Sequence, residues 1–283
     1  MLKLIQSKMK NLFIILLAIA IASCGNSKKN KGSEDKKMNI AAAGATFPLP
    51  FYNLAFKTYQ EKTGNTVTYG GIGSGGGIRS LKDKIVDFGG SDAYLSDSEM
   101  QEMPYTAIHI PTCMGAVVLA YNLPEVKDLK LSGEVVADIY LGKITKWNDA
   151  KIKELNPGIT LPDKELTPVY RSDGSGTTFV FSDYLTKVSA NWKENVGTGK
   201  SLKWPVGLAA KGNPGVAGTI SQTPGAIGYI GSEYAFSLNI PMAQMKNSSG
   251  NFITPNTESI SAAAKGDIPA DTRTMITNSD APD

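Results

Sequence analysis

The chain has 283 residues, 41% hydrophobic and 19% charged, the make-up of a soluble globular protein long enough for two compact units, each with a core of its own. Its 29 basic and 26 acidic side chains become an even 26 against 26 once Lys3, Lys8 and Lys10 are set aside, and 21 against 24 from Met38 onward. Such a balance argues against a nucleic-acid surface, which needs clustered Lys and Arg, and one histidine beside two cysteines rules out the usual zinc spacings.

The three lysines precede an uninterrupted apolar run, Leu12 to Ala22, closing on Ile21-Ala22-Ser23-Cys24. A basic start and a short apolar stretch make residues 1–23 a signal peptide rather than a membrane span. Ile-Ala-Ser-Cys resembles a lipobox, in which Cys24 becomes the first, lipidated residue. Residues 24–37 are then a polar, lysine-rich tether that cannot bury enough surface to order itself. With Cys24 lipidated, Cys113 has no partner for a disulfide; set among Ile110 to Leu119, it is expected to be a buried small hydrophobe.

Met38 to Ala43 predicts a short buried strand, and Thr46-Phe47-Pro48 a helix entry with proline where its missing N–H costs nothing. Phe51, Leu54, Ala55 and Tyr59 recur at helical spacing up to Gly64. Thr66 to Tyr69 is β-branched and strand-like; it runs into a glycine-rich stretch, Gly70 to Gly77, after which Ile78, Leu81 and Ile85 mark another helical face. Val86 to Asp92 is a strand that stops at Gly89-Gly90 and presents Ser91 and Asp92. This β-α-β-α order predicts a mostly parallel sheet with helices on both faces.

Tyr105 to Ile110 and Gly115 to Tyr121 are both strand-like, with Pro111 between them, and an interdomain crossover fits there because a second run of α/β signals follows. His109, within the first of these, is read as structural. Leu131 to Tyr140 is a helix ending near Gly142, with Trp147 in the loop beyond. Leu166 to Tyr170 is a strand that leads into Arg171-Ser172-Asp173-Gly174-Ser175-Gly176-Thr177-Thr178, and Phe179, Phe181, Tyr184 and Leu185 form the helix after it. Asn213-Pro214-Gly215 and Thr223-Pro224-Gly225 read as turns, and Ile227 to Ile230 as a further strand.

Three Gly/Ser/Thr-rich segments therefore stand at strand-to-helix junctions: Thr46-Phe47, Ser74 to Gly77, and Ser175 to Thr177. The first N–H groups of a helix have no partner inside it and favour negative charge, and Arg171 adds a planar cationic fork. Each segment could serve one small anion; each could equally be an ordinary capping turn. Neither glycine loop carries the Gly-Lys-Ser/Thr ending of a P-loop, and a lone G-x-G-x-x-G match at Gly71 to Gly76 is weak support for a dinucleotide. A serine hydrolase is the alternative from the enzyme classes. Against it, Ser74 and Ser175 follow Ile72 and Asp173 where the nucleophile motif needs glycine, and His109 is the single available imidazole.

Taken in order, Gly44-Ala45-Thr46-Phe47-Pro48, Gly73-Ser74-Gly75-Gly76, Asp87 to Asp92, Arg171 to Thr177, Asn195-Val196-Gly197-Thr198-Gly199, Lys203-Trp204-Pro205-Val206-Gly207 and Pro224 to Tyr229 resemble the phosphate-binding protein family of bacterial high-affinity phosphate ABC transporters. The resemblance implies an α/β periplasmic-binding-protein fold of two lobes with mixed sheets and interlobe crossovers: lobe I over 38–110, lobe II with the start of a return toward lobe I over 111–283. Chains of that family normally return to the first lobe after the second, whereas this sequence stops at Asp283, so the first lobe is expected to lack its C-terminal return segment.

Carried over by position, the resemblance places phosphate on Thr46, Phe47 through its backbone, Ser74, Asp92, Arg171, Ser175, Gly176 through its backbone, and Thr177, with Asp173 orienting Arg171. It implies capture of inorganic phosphate and delivery to ABC-transporter permease subunits by an exported, lipid-anchored monomer on the periplasmic or outer face of the membrane. No cofactor, no metal, no catalysis and no nucleic acid belong to this reading. Asp92 is its most informative member: a carboxylate facing an anion repels it unless that anion brings a proton to share, which phosphate does at neutral pH and sulfate does not.

Overall fold

The computed structural model describes residues 37–264 and 268–281. The expected signal peptide, Cys24 and all of the expected tether but Lys37 lie outside the described residues. The central strand of the first sheet is β1 (Asn39–Gly44), whose small residues Ala42, Ala43 and Gly44 allow close packing on both faces. It pairs in parallel with β2 (Thr66–Gly71) on one side and β3 (Phe88–Gly90) on the other. The crossovers are α1 (Leu49–Thr63) and α2 (Ser74–Lys82). Helix α1 starts after Pro48, holds Pro50 in its first turn, and ends at Gly64 in the left-handed region, φ 74°.

Helix α1 turns inward a face that matches only in part the one its spacing suggested, with Ala55 and Tyr59 half-buried. Phe51 and Leu54 are exposed, while Tyr52 is buried with ring centroids 4.9 Å from Phe56 and 5.0 Å from Tyr69. Phe51, Tyr52, Leu54, Ala55, Phe56 and Tyr59 are spread round most of this helix, so the aromatic partners on β2 and β3, not periodicity, choose the face. Ile85 lies beyond α2 and is likewise exposed.

After β3 comes the short α3 (Asp97–Gln101), held by a reciprocal cap between Ser96 and Glu99. Residues 105–110 form no strand, against expectation, and the second expected strand begins only at Val117. β3 pairs with β1 alone among the described residues, so the extended stretch has no ladder to join. His109 is tied down singly: its Nε2 accepts the N–H of Leu95 at 3.0 Å and its carbonyl accepts from Thr272. Cys113 is exposed rather than buried, because its apolar neighbours Ile110 and Met114 face outward too.

The remainder runs β4 (Val117–Tyr121), β5 (Lys130–Leu131), α4 (Gly133–Tyr140), α5 (Ala150–Leu155), β6 (Thr167–Arg171), α6 (Gly176–Val188), α7 (Ala190–Asn195), β7 (Leu208–Ala210), α8 (Gly212–Gln222), β8 (Ala226–Gly231), α9 (Ser232–Leu238), β9 (Gln244–Lys246), β10 (Phe252–Ile253) and α10 (Thr257–Ala263). The second sheet has the order β4-β8-β6-β7, with β8 antiparallel to β4 and parallel to β6. β8 is buried along its whole length. Alternation along β4 and β8 sends Leu119, Tyr121, Ile227 and Tyr229 into a core with Trp147, Phe181 and Trp192, and Val118, Ala120 and Ile230 into another beneath Val216 and Ile220 of α8. Asn213-Pro214-Gly215, read as a turn, is instead the first turn of α8. Proline is tolerated there because the first N–H groups of a helix have no partner inside it. Together these two cores fix where β6 ends and where α6 and α8 begin.

Candidate functional site

The loops at the carboxyl ends of β1, β2 and β6 carry the three junction segments, and they meet one another and the loop after β3. Ser175 caps α6, its Oγ accepting the Thr178 N–H at 3.0 Å. One residue on, the Gly176 N–H donates to Ser74 Oγ at 3.0 Å, joining the start of α6 to the start of α2. The Thr177 hydroxyl donates to Asp92 Oδ2 at 2.9 Å. Thr46 Oγ1 accepts from the backbone and side-chain N–H groups of Asn213 at 2.9 and 3.1 Å. Phe47 presses its ring over the backbones of Gly115 and Gly231. Ser74 and Asp92 thus meet Gly176 and Thr177 over hydrogen-bonding distances, and Thr46 is linked to Thr177 through Asn213.

Arg171 ends β6 and is almost wholly buried. Its Nε and Nη2 donate to the two carboxylate oxygens of Asp173 at 2.8 and 2.6 Å, a side-on pair, while Nη1 reaches Thr177 Oγ1 at 3.3 Å. Asp173 Oδ1 also accepts the Gly212 N–H at 2.9 Å. Burial pushes the Asp173 carboxyl up, but the Arg171 and Gly212 bonds outweigh it and hold the group below its ordinary range. The cation is therefore neutralised and aimed by its neighbour two residues on, with Nη1 turned toward Thr177.

Asp92 stands in the opposite condition. Burial raises its carboxyl to about 6, and the Thr177 hydroxyl and Arg171 offset only part of that cost. Its Oδ1 is buried without a hydrogen-bond partner. A buried carboxylate oxygen with no donor is expensive, and a ligand that brings a proton would relieve it. The hydroxyls of Ser74, Ser175 and Thr177 all engage this frame, and His109 Nε2 is spent on Leu95. No serine–imidazole pair forms among the described residues, which removes the hydrolase alternative's base.

Three contributors were not singled out beforehand. Asn213, fully buried in the first turn of α8, donates to both Thr46 Oγ1 and Thr177 Oγ1 and accepts the Gly231 N–H at 2.9 Å. Tyr229 accepts the Arg171 N–H at 3.0 Å and shares a 2.7 Å bond with Thr178 Oγ1, its ring stacked 4.2 Å from Phe181. Tyr234 donates to the Thr46 carbonyl. Each reaches across many tens of residues, and nothing local in the sequence signals it.

Space at the α6 terminus is tight. A Cβ on Gly176 would lie 2.6 Å from Ser74 Oγ and 2.7 Å from Asp92 Cβ, and Gly73, at φ 87°, has Asp173 Oδ2 where a Cβ would be. Gly176→Ala should therefore weaken anion binding roughly a hundredfold or more, because neither neighbour can withdraw without opening the site, while the helix itself gains slightly from alanine. Calorimetric titration beside a melting curve checks this: unchanged affinity would show that the two sides do not need to meet at Gly176.

Fold and site together define an α/β protein in which helix N-termini, hydroxyls and a single aimed arginine converge between two sheets. The family model of the PBP superfamily domain matches residues 29–281. The chain is 48% identical over 227 residues to the phosphate-binding protein PstS of Pasteurella multocida, covering 80% of this chain and 65% of that one. To PstS of Xylella fastidiosa it is 44% identical over 247 residues, covering 86% and 67%. The matched region thus spans about two thirds of these relatives' length. Among solved structures, the phosphate-binding protein of Stenotrophomonas maltophilia superposes with a TM-score of 0.60 at 20% identity, over 85% of this chain and 72% of that one, a likeness of fold. The chain belongs to the PBP superfamily and, within it, to the PstS phosphate-binding proteins.

Proposed function

We propose that the chain captures inorganic phosphate outside the cytoplasm and passes it unchanged to the permease subunits of an ABC transporter. Lobe I, 38–110, supplies Thr46, the Phe47 backbone, Ser74 and Asp92; lobe II, from 111 onward, supplies Arg171, Ser175, the Gly176 backbone and Thr177. The observation that carries this reading is the unpartnered Asp92 Oδ1, set among donors. The donors suit any tetrahedral oxyanion, but this oxygen suits one that is protonated at neutral pH. Both walls come from one chain, so a monomer suffices. The leader and Cys24 support a lipid anchor at the outer face of the membrane. No helix among the described residues is long and apolar enough to cross it.

Equilibrium binding of radiolabelled phosphate at pH 7.5 tests the reading. Unlabelled phosphate should displace the label at stoichiometric levels, and a thousandfold excess of sulfate should leave it bound. Equal competition by sulfate would overturn the assignment of Asp92 and with it the choice of phosphate.

A further inference from the structure

Seven residues beyond Asp92, Glu99 in α3 does two things. It closes the cap of its own helix with the Ser96 N–H at 2.8 Å, and it takes the Lys200 ammonium on both carboxylate oxygens, at 2.6 and 2.8 Å. Lys200 belongs to the loop that follows α7. Its backbone carbonyl accepts the N–H of Ser175 at 2.8 Å, the residue that caps α6 at the site. The pair is sheltered, with side chains 16% and 32% exposed. It rests on a small aromatic floor: the ammonium lies 5.9 Å from the Phe179 ring of α6, which meets Tyr94 edge-on at 6.5 Å. Tyr94 in turn is two residues from Asp92.

We infer that Lys200 and Glu99 are positioning residues for ligand binding: their ion pair clasps the Asp92 side of the site to the Ser175–Thr177 side and so sets how long a bound anion is held. The inference rests on the phosphate-binding reading, and none of the ligand groups named for that reading is in the pair. The argument is geometric. Among the described residues, the bonds involving side chains that join the two sides at the site are made by Ser74, Asp92, Thr46 and their partners, beside one backbone bond from the Gly75 N–H to the Gly174 carbonyl at 2.8 Å, and an entering oxyanion must take over some of the side-chain bonds. The Lys200–Glu99 bonds lie outside that set and survive ligand entry. Because Lys200 also carries the carbonyl that holds the Ser175 N–H, loosening its side chain loosens the cap that presents the Gly176 and Thr177 N–H groups.

A sheltered, doubly bonded pair with an aromatic neighbour exceeds an exposed one in strength, so either Glu99→Gln or Lys200→Gln should raise the phosphate Kd and the dissociation rate roughly three- to tenfold. E99Q/K200Q should cost no more than either single change, and the reversed pair E99K/K200E should recover part of the loss, short of the Ser96 cap, whose acceptor it removes. Asp97 provides the control. It lies in the same short helix and pairs with Arg273 at 2.6 Å but is 84% exposed, so Asp97→Asn should leave Kd and dissociation unchanged. Stopped-flow dissociation of phosphate measures these rates. Small-angle scattering of the ligand-free chains gives a readout independent of ligand, with E99Q larger in radius than wild type and E99K/K200E partly restored. Singles that melt lower yet keep wild-type dissociation and radius would overturn the clasp. A wild type that fails to bind phosphate while E99Q still expands would overturn the functional reading and leave the clasp standing.

Discussion

Arg171→Met is expected to abolish measurable phosphate binding, a loss beyond a thousandfold, and to destabilise the fold by about 3–5 kcal/mol, the range for removing one partner of a buried ion pair. The arginine side chain is essentially unexposed and the Asp173 carboxylate nearly so. Methionine would leave that carboxylate with the Gly212 N–H as its remaining bond partner among those described at the site. The double variant R171M/D173N separates the two losses. With both charges gone the desolvation cost goes with them, so stability should return most of the way while phosphate binding stays absent. Guanidinium unfolding and calorimetric titration of the two variants read this out. A double variant no more stable than the single would show that Asp173 is not held by Arg171. The acid dependence has a matching sign: the folded-state carboxyl of Asp173 lies below its ordinary value of 3.8, so its contribution is fully present above that value and is lost as the pH falls through the lower, folded one.

How much of this could be read from the chain depends on how local the physics is. The three helix N-termini were legible because a strand, a Gly/Ser/Thr turn and a helix are consecutive, and the N–H groups they free are a property of that short stretch. Arg171 was legible for the same reason, standing at the head of such a stretch, whereas the role of Asp173 two residues on came from the family resemblance. Asn213 was not: Asn-Pro-Gly satisfies turn chemistry and a helical first turn equally well, and what decides is a pair of bonds to Thr46, 167 residues away. Tyr229 and Tyr234 share that difficulty, since their hydroxyls serve backbone groups of Arg171 and Thr46. The face of α1 and the fate of residues 105–110 turned on partners as well. Tyr69 and Phe88 select Tyr52 and Phe56, and extended residues without a neighbouring strand remain unpaired however well their sequence alternates.

Asp92→Asn should trade selectivity for stability. At pH 7.5 the amide can donate to an unprotonated oxygen, so D92N should bind sulfate and phosphate within about tenfold of each other, where the wild type prefers phosphate strongly. The ligand-free protein carries the opposite sign. The carboxyl of Asp92 rises from an ordinary 3.8 to about 6 on burial, so the folded state holds the proton more tightly than the unfolded one. Stability is therefore gained as the pH falls from above 6 to below 3.8, and at neutral pH the ionised group costs at most about 3 kcal/mol. D92N should accordingly unfold at higher denaturant than wild type at pH 7.5, by up to a few kcal/mol, with the difference gone by pH 4. Wild-type selectivity should weaken over the same window, sulfate competing better as Asp92 takes up its proton near pH 6. A D92N chain less stable than wild type at pH 7.5 would mean that the bond from Thr177 outweighs the cost of burying the charge. A sulfate profile flat from pH 8 to pH 5 would place the discrimination elsewhere. The two readouts bear on one trade: an unpartnered carboxylate oxygen is a defect in the empty protein, one that the proposed ligand would relieve by supplying the missing proton.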